Sequence, residues 1–228
     1  MTLETALRAT EFLLGFAILL QSIENSKVLR ARLYALSGAV SVLLMLGITP
    51  LLSALVLVGL GIAHLVRFDG PYNGGSDRMT LLILICLCLA HLAPTPYLQE
   101  LAIGYLAVQL ILSYVLSGAV KIVNVEWRDG LALRDVFLFS AYPVSEATRG
   151  WAERPQLLWA MGWTVMIVEL LFPLFLLTTP MLIVGLSMAA LFHLANFYLF
   201  GLNRFFWAWI AAYPSLLWFQ HRFIEGLV

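Results

Sequence analysis

The chain has 228 residues, of which 62% are hydrophobic and 11% charged, and its formal net charge is zero. Soluble domains carry about 25% charged residues, so this composition, with a mean hydropathy of +0.93, excludes an ordinary soluble protein and indicates an integral membrane protein. The neutral charge balance offers no basic patch for a nucleic acid, so none is expected as a partner.

Apolar segments of near membrane-spanning length recur along the whole chain. A helix needs about 20 mostly apolar residues to cross a bilayer. Eight segments approach that length: 4–23, 33–48, 51–66, 79–94, 98–120, 156–178, 181–199 and 204–220. Pro50 separates the second from the third, which form either two crossings or a re-entrant hairpin. We therefore expect an all-α polytopic membrane bundle of about eight transmembrane helices, with residues 1–228 forming a single transmembrane domain.

The basic residues predict an orientation. Cytoplasmic loops of membrane proteins carry an excess of Lys and Arg. With the N-terminus outside, only Arg8 and Arg222 of the thirteen basic residues fall on the outer side. The inner side receives Lys27, Arg30, Arg32, Arg67, Arg78, Lys121, Arg128, Arg134, Arg149, Arg154 and Arg204. The sequence thus predicts an N-out, C-out protein.

The longest segment between apolar runs covers about residues 121–155. It mixes charged residues with the apolar run Val136–Phe139 and with Trp127, Tyr142 and Trp151, which are residue types of the membrane interface. This pattern favours short amphipathic helices lying at the inner membrane face over a separate soluble domain.

Polar residues within the apolar segments are the candidate functional residues, because each is costly in lipid. His193 and Asn196 are three residues apart and share a helical face, where they either line a pocket or hydrogen-bond a neighbouring helix. Glu169 falls near the middle of its segment, so we expect it to face the bundle interior and to have a polar partner or water. Lys121 follows an apolar helix, where it acts either as a base or as a lysine that reaches the interface.

Two loops add weaker candidates. Asn73 and Asp77 belong to a Gly-rich loop that either lines a pocket mouth or simply turns between helices. Asn203 lies in the turn after Gly201, where a turn role is the simpler interpretation. The sequence has no zinc-ligand spacing, so no metal is predicted.

Three segments resemble one family. "SGAVKIVNVEWRDGLAL" (117–133) resembles a segment with Gly, Lys, Trp and Gly in the vitamin K-dependent gamma-carboxylase family and in the related bacterial HTTM membrane domains. "FHLANFYLFGLNRFFWAWIAAYPSLLWF" (192–219) is similar to that family's His-containing helix, and "YNGGSDRM" (72–79) to the Gly-rich loop of HTTM proteins. The three matches occur in the family's order and span most of the chain.

The resemblance implies a helical membrane domain in which a reduced quinone is oxygenated near a lysine, generating a strong base. That base takes a proton from a glutamate side chain, which then captures carbon dioxide. By this correspondence Lys121 is the base that acts on the quinol, His193 and Asn196 are polar pocket residues, and Trp127 and Gly130 shape the loop after Lys121. Together with the polar residues described above, this makes Lys121 and His193 the candidate catalytic residues. The candidate cofactor-binding residues are Asn196, Glu169, Trp127, Asn73, Asp77 and Asn203. The implied cofactor is a quinone-like lipid, and the implied location is a cell membrane, the bacterial inner membrane.

The sequence leaves two functions open. One is a membrane enzyme or redox subunit that binds a quinone-like lipid between its helices and supports redox or carboxylase-like chemistry. DoxX-like proteins, which are similar to this family, include members linked to quinones or thiol oxidation. The other is a non-catalytic subunit that packs against partner membrane proteins. The two differ in whether the polar residues converge on one cavity.

The predicted orientation is tested by cysteine accessibility in intact cells. With Gly150→Cys, a membrane-impermeant maleimide is expected to label position 150 only after the membrane is opened, whereas a cysteine added at the C-terminus is labelled from outside. Labelling of position 150 from outside would reverse the orientation.

Overall fold

The computed structural model describes residues 1–25, 31–66, 74–139 and 145–225. Within these ranges the chain is almost entirely helical and has no strand, which confirms the all-α prediction. The α-helices there are α1 Leu3–Glu24, α2 Ala31–Leu46, α3 Pro50–Val66, α4 Gly74–Leu92, α5 Pro96–Val123, α6 Val125–Arg128, α7 Leu131–Phe139, α8 Glu146–Arg149, α9 Pro155–Leu170, α10 Thr179–Phe200 and α11 Asn203–Phe223. Two 3₁₀ segments, Gly150–Glu153 and Phe172–Leu177, accompany them.

Every predicted apolar segment contains a helix, with one difference in the sixth. α9 ends at Leu170 and the chain continues as 3₁₀ helix to Leu177, because Pro173 has no backbone N–H for an α-helical hydrogen bond. The sixth segment, 156–178, is therefore an α-helix followed by a 3₁₀ segment that contains the proline. The break before Pro50 is present: Gly47 and Thr49 adopt positive φ angles of 70° and 47°, and α3 starts at Pro50.

Four of the described helices are long and apolar enough to cross a membrane. They are α1, residues Gly75–Leu92 of α4, α5 and α10. α2 and α3 are shorter apolar helices. The chain is thus a helical membrane protein, while eight crossings and the N-out, C-out orientation stay predictions.

The segment predicted to lie at the interface is helical where the structure describes it. α6, α7, α8 and the 3₁₀ segment Gly150–Glu153 occupy it. Tyr142 lies outside the described residues, as do Lys27, Arg30 and Arg67, which entered the charge count. The position of these short helices relative to a membrane stays a prediction.

The described residues form two compact units, the first from 1–108 and 204–225 and the second from 109–203. In the first unit α1 packs on α2 and α4, and α3 packs on the same two helices. Gly15 allows the close approach of α1 to α2: a Cβ there would lie 2.5 Å from Met45 Cγ and 2.7 Å from the Ser41 carbonyl oxygen. The absence of a side chain at Gly15 therefore sets the spacing of these two helices.

A buried carboxylate ties the first unit together. Glu11 is fully buried and pairs with Arg8, which lies one turn earlier on the same helical face. Its other oxygen lies 2.5 Å from His91 Nε2 at the end of α4, a partner that sequence spacing did not reveal. Arg8 also donates to the Met45 carbonyl oxygen at 3.0 Å. Because a buried charge must be paired, this cluster joins α1, α2 and α4 at one end.

The second unit has its own apolar core at the interfacial segment. Phe137, Ala152, Leu158 and Phe200 are buried against one another, with the Phe137 ring 5.0 Å from the Phe200 ring between centroids. Gly130 turns the chain into α7 with a φ of 77°, and a Cβ there would lie 3.1 Å from the Trp159 backbone nitrogen. The turn therefore requires glycine for its conformation and for its close contact with α9.

The α1–α2 contact is tested by adding one methyl group. Gly15→Ala is expected to destabilise the protein by about 1–3 kcal/mol, because the methyl group meets the backbone of α2. Gly59→Ala is the matched control, since its Cβ meets nothing within 4 Å and alanine is the better helix former. Thermal unfolding in detergent measures both. Equal melting temperatures for the two variants would contradict this account of the packing.

Candidate functional site

One face of α5 carries the polar residues of the candidate site. Tyr114, Ser117 and Lys121 are spaced three and four residues apart, which places them on one stripe of the helix. The sequence interpretation ended this helix at residue 120, whereas α5 extends to Val123. Lys121 is therefore held in the last helical turn rather than in a loop.

Lys121 forms a buried ion pair with Glu169 of α9. Its Nζ lies 2.6 Å from Glu169 Oε2 and 2.8 Å from Oε1. Ser117 completes the group: Lys121 Nζ lies 2.5 Å from Ser117 Oγ, which donates to Glu169 Oε1 at 3.2 Å. Glu169 is only 5% exposed. The prediction that Glu169 faces the interior with a polar partner is thus confirmed, and the partner is the lysine singled out separately by its own segment.

A glycine brings the two charges within reach. A Cβ on Gly118 would lie 2.9 Å from the Leu170 backbone nitrogen and 3.0 Å from the Glu169 Cβ. α5 can therefore approach α9 closely only because residue 118 has no side chain. Gly118 lies between Ser117 and Lys121, the two partners of Glu169 on α5, so the close approach falls where the ion pair forms.

The short helix α6, which follows Lys121, places an aromatic ring beside its ammonium group. The Lys121 Nζ lies 5.4 Å from the centroid of the Trp127 ring, within the range of a cation–π interaction. Asn124 caps α6 by accepting from the Glu126 N–H at 2.9 Å. Trp163 of α9 donates to the Arg128 carbonyl oxygen at 3.1 Å, which fixes the end of α6 against α9. The structure thus places Trp127 beside Lys121.

His193 of α10 has a different partner on the same α5 stripe. Its Nε2 lies 3.1 Å from the Tyr114 hydroxyl, and His193 is only 1% exposed. The Tyr114 ring stacks on Phe172 with centroids 4.2 Å apart. Sequence reasoning did not single out Tyr114 as a partner of His193. The sequence did hold a signal: the spacing of three and four residues puts Tyr114 on the same face of α5 as Ser117 and Lys121.

A cavity of about 80 Å³ connects the two polar pairs. Glu169, from the ion pair, and Tyr114, from the pair with His193, both line it. Its other walls are mostly apolar and come from α9, α10 and the 3₁₀ segment. They are Thr164, Val165, Val168, Phe172, Met188, Ala189 and Phe192. The arrangement offers an apolar space with a carboxylate and a phenol hydroxyl at its surface.

The remaining predicted residues have other positions. Asn196 is half-buried one turn after His193, and its backbone carbonyl accepts from the Leu202 N–H at the end of α10. Asn203 is the first residue of α11. Asp77 belongs to the first unit, where it accepts from Gln21 and pairs with Arg204. Asn73 lies outside the described residues. A role for any of these four in cofactor binding stays a prediction.

A family model provides the comparison that covers this site. The model of the HTTM domain matches residues 94–221, more than half of the chain. The chain belongs to the HTTM family. The matched residues contain Tyr114, Lys121, Glu169 and His193, so the candidate site lies wholly within the HTTM region. No curated protein and no solved structure matches the chain.

The ion pair of this HTTM protein is tested by removing its charges singly and together. Lys121→Met or Glu169→Met is each expected to destabilise the protein by about 3–5 kcal/mol, because each leaves one buried charge without its partner. The double variant is expected to be more stable than either single variant, since it leaves no unpaired charge. Reversible unfolding in mixed detergent measures all three. Additive losses in the double variant would contradict the pairing.

Proposed function

We propose that this HTTM protein binds a quinone-like lipid in the second unit and supports redox or carboxylase-like chemistry there. In this proposal the chain is a multi-pass protein of a cell membrane, the bacterial inner membrane, with about eight crossings and both termini outside. One observation carries the proposal. The cavity is lined by one member of each buried polar pair, Glu169 and Tyr114, and otherwise mainly by apolar side chains. Such a cavity is the usual form of a small-ligand site.

The chemistry of the cavity walls fits a flat, apolar ring that carries oxygen atoms. The Tyr114 hydroxyl can donate to a ring carbonyl, and the Glu169 carboxylate can accept from a ring hydroxyl. Phe172 and Phe192 offer ring surfaces for stacking. The donor and acceptor set therefore suits a ring that interconverts between carbonyl and hydroxyl forms.

The volume of the cavity limits what enters without movement. A cavity of about 150 Å³ accommodates benzene, whereas this one measures about 80 Å³. A quinone ring therefore needs a wall side chain to move. Met188 is the natural one, since it is half-exposed and its unbranched side chain changes conformation readily.

The position of the cavity supports a ligand that arrives from the bilayer. Among the lining residues Tyr114, Glu169 and Phe172 are buried, whereas Thr164 and Phe192 retain exposure. Their neighbours along the same helices include exposed apolar side chains, with Ile167 47% and Leu191 64% exposed. In a membrane these residues face lipid, so a ligand with an apolar tail reaches the cavity without crossing water.

In this proposal the side chains around the cavity bind the ligand and transfer protons. A bound quinone-like lipid supplies two-electron redox chemistry at its ring. Glu169 accepts a hydrogen bond or a proton at the cavity wall, and Lys121 balances its charge from the side away from the cavity. The Tyr114 hydroxyl lies 3.1 Å from His193 Nε2 and accepts a hydrogen bond from it, which leaves the phenol hydrogen for the ligand. Trp127 shields Lys121 on the loop side.

Quinone binding is tested with a short-tailed ubiquinone and a short-tailed menaquinone. Quenching of tryptophan fluorescence in detergent gives the dissociation constants. Tyr114→Phe is expected to weaken binding by about 2- to 10-fold, the effect of one neutral hydrogen bond. The double variant Lys121→Met, Glu169→Met is expected to weaken it by about tenfold or more, because it removes the carboxylate from the cavity wall.

Tyr34→Phe is the matched control, since it makes the same change in the first unit. It is expected to leave binding unchanged. Failure of the wild-type protein to bind either quinone would overturn the proposal. The same would follow if the Tyr114 and charge-pair variants bound as well as the control. Either outcome would favour the alternative, a non-catalytic subunit that packs against partner membrane proteins.

A further inference from the structure

A second polar cavity lies inside the first unit, where α1, α2, α3 and α4 meet at one end. Its volume is about 30 Å³. Its polar lining consists of Gln21, Ser22, Tyr34, Ser37, His64, Asp77 and Thr80. We call it the His64 cavity. These residues precede residue 94, so the cavity lining lies outside the segment that matches the HTTM domain.

The hydrogen bonds around His64 indicate which ring nitrogen carries the hydrogen of the neutral imidazole. Ser37 Oγ donates its only hydrogen to the Leu33 carbonyl oxygen at 3.0 Å. Ser37 Oγ is also 3.1 Å from His64 Nε2, and in that contact it can only accept. In this arrangement His64 Nε2 donates to Ser37 Oγ. The Tyr34 ring, stacked at 4.3 Å, holds the imidazole in this orientation.

An acid with two fixed partners lines the same cavity. Asp77 Oδ1 accepts from Gln21 Nε2 at 3.3 Å and lies 3.6 Å from Arg204 Nη1. Asp77 and Tyr34 are thus the titratable groups that line the cavity together with His64, and Arg204 pairs with Asp77. Asp77 lies in the first turn of α4, at the end of the unit, with a side chain that keeps 16% exposure. It therefore stands between solvent and the cavity.

The size of the His64 cavity restricts its contents. A water molecule needs about 10–15 Å³ of cavity volume, so the His64 cavity has room for about two or three water molecules. It is too small for an organic ligand. Among the described residues no group of three His, Cys, Asp or Glu side chains could hold a metal ion. Leu57 and Leu84, both almost fully buried, close the inner side.

We propose that the His64 cavity is a hydration site in which ordered water molecules carry protons between Asp77 and His64. Water suits the site because hydroxyl, amide, carboxylate and imidazole groups from four helices surround it, which gives each molecule several hydrogen-bond partners. Protons enter from the side of Asp77, and the apolar floor prevents their passage through the unit. The site is thus a one-sided proton store within the membrane protein, separate from the cavity of the second unit.

The first experiment displaces the water with a methyl group. Gly61 lines the cavity, and its Cβ would meet only Leu81 Cδ1 at 3.7 Å, so Gly61→Ala fits without a clash. Gly59→Ala on the same helix is the control, because its Cβ meets nothing within 4 Å. If the cavity holds water, Gly61→Ala breaks hydrogen bonds and its melting temperature falls below that of Gly59→Ala. A higher melting temperature for Gly61→Ala would mean an empty apolar void and would overturn the proposal.

The second experiment observes the proton directly by NMR of ¹⁵N-histidine-labelled protein in nanodiscs. The neutral His64 ring is expected in the Nε2–H form and to show a cross-peak with water that Gly61→Ala removes. Asp77→Asn is expected to slow exchange of the His64 ring proton with solvent by about tenfold or more. Glu225→Gln, which removes the partner of the exposed His221, serves as the control and leaves His64 exchange unchanged. The absence of the water cross-peak, or unchanged exchange in Asp77→Asn, would overturn the proposal.

Discussion

The cost of a charge in an apolar interior governs the organisation of this protein. Lys121 and Glu169 lie in segments whose neighbours are almost all hydrophobic, and neither charge is tolerated there alone. Their pairing requires α5 and α9 to approach closely, which Gly118 permits. Ser117 donates one further hydrogen bond to the carboxylate, and Trp127 lies beside the ammonium group. The geometry of the candidate site follows from satisfying this one pair.

The first unit meets the same constraint with a different result. Glu11 is shared between Arg8 and His91, and this cluster borders none of the cavities described above. It serves to hold three helix ends together. In the second unit, by contrast, the carboxylate of the ion pair forms part of a cavity wall together with Tyr114. This difference is why the second unit, and not the Glu11 cluster, is the better candidate for ligand binding.

The HTTM match covers the cavity of the second unit but not the His64 cavity. The matched residues, 94–221, include α5 through most of α11 and therefore every residue of the cavity in the second unit. Most of the first unit, including the lining of the His64 cavity, precedes them. The two cavities also differ in chemistry. One has mainly apolar walls and an exposed apolar rim, whereas the other is small and lined by polar groups from four helices.

The sequence by itself determined which segments are helical and which polar residues needed an explanation. Apolar runs of the right length located the long helices, and Pro50 and Gly201 marked two of their ends. Lys121, Glu169 and His193 stood out because polar side chains are costly in such segments. Trp127 and Gly130 became candidates through the resemblance to the HTTM domains. In the structure Trp127 lies beside Lys121, and Gly130 forms the turn that leads into α7.

Only the tertiary structure decided which of these residues meet. Lys121 and Glu169 are separated by 48 positions, and Tyr114 and His193 by 79, so no local spacing links them. Helical periodicity assigns a residue to a face of its own helix. It does not say which helix covers that face or at what height, because those depend on close contacts such as the one at Gly118. For the same reason Asn196, one turn from His193, was grouped with it by sequence, whereas the contact with Tyr114 depends on how α10 packs in the second unit.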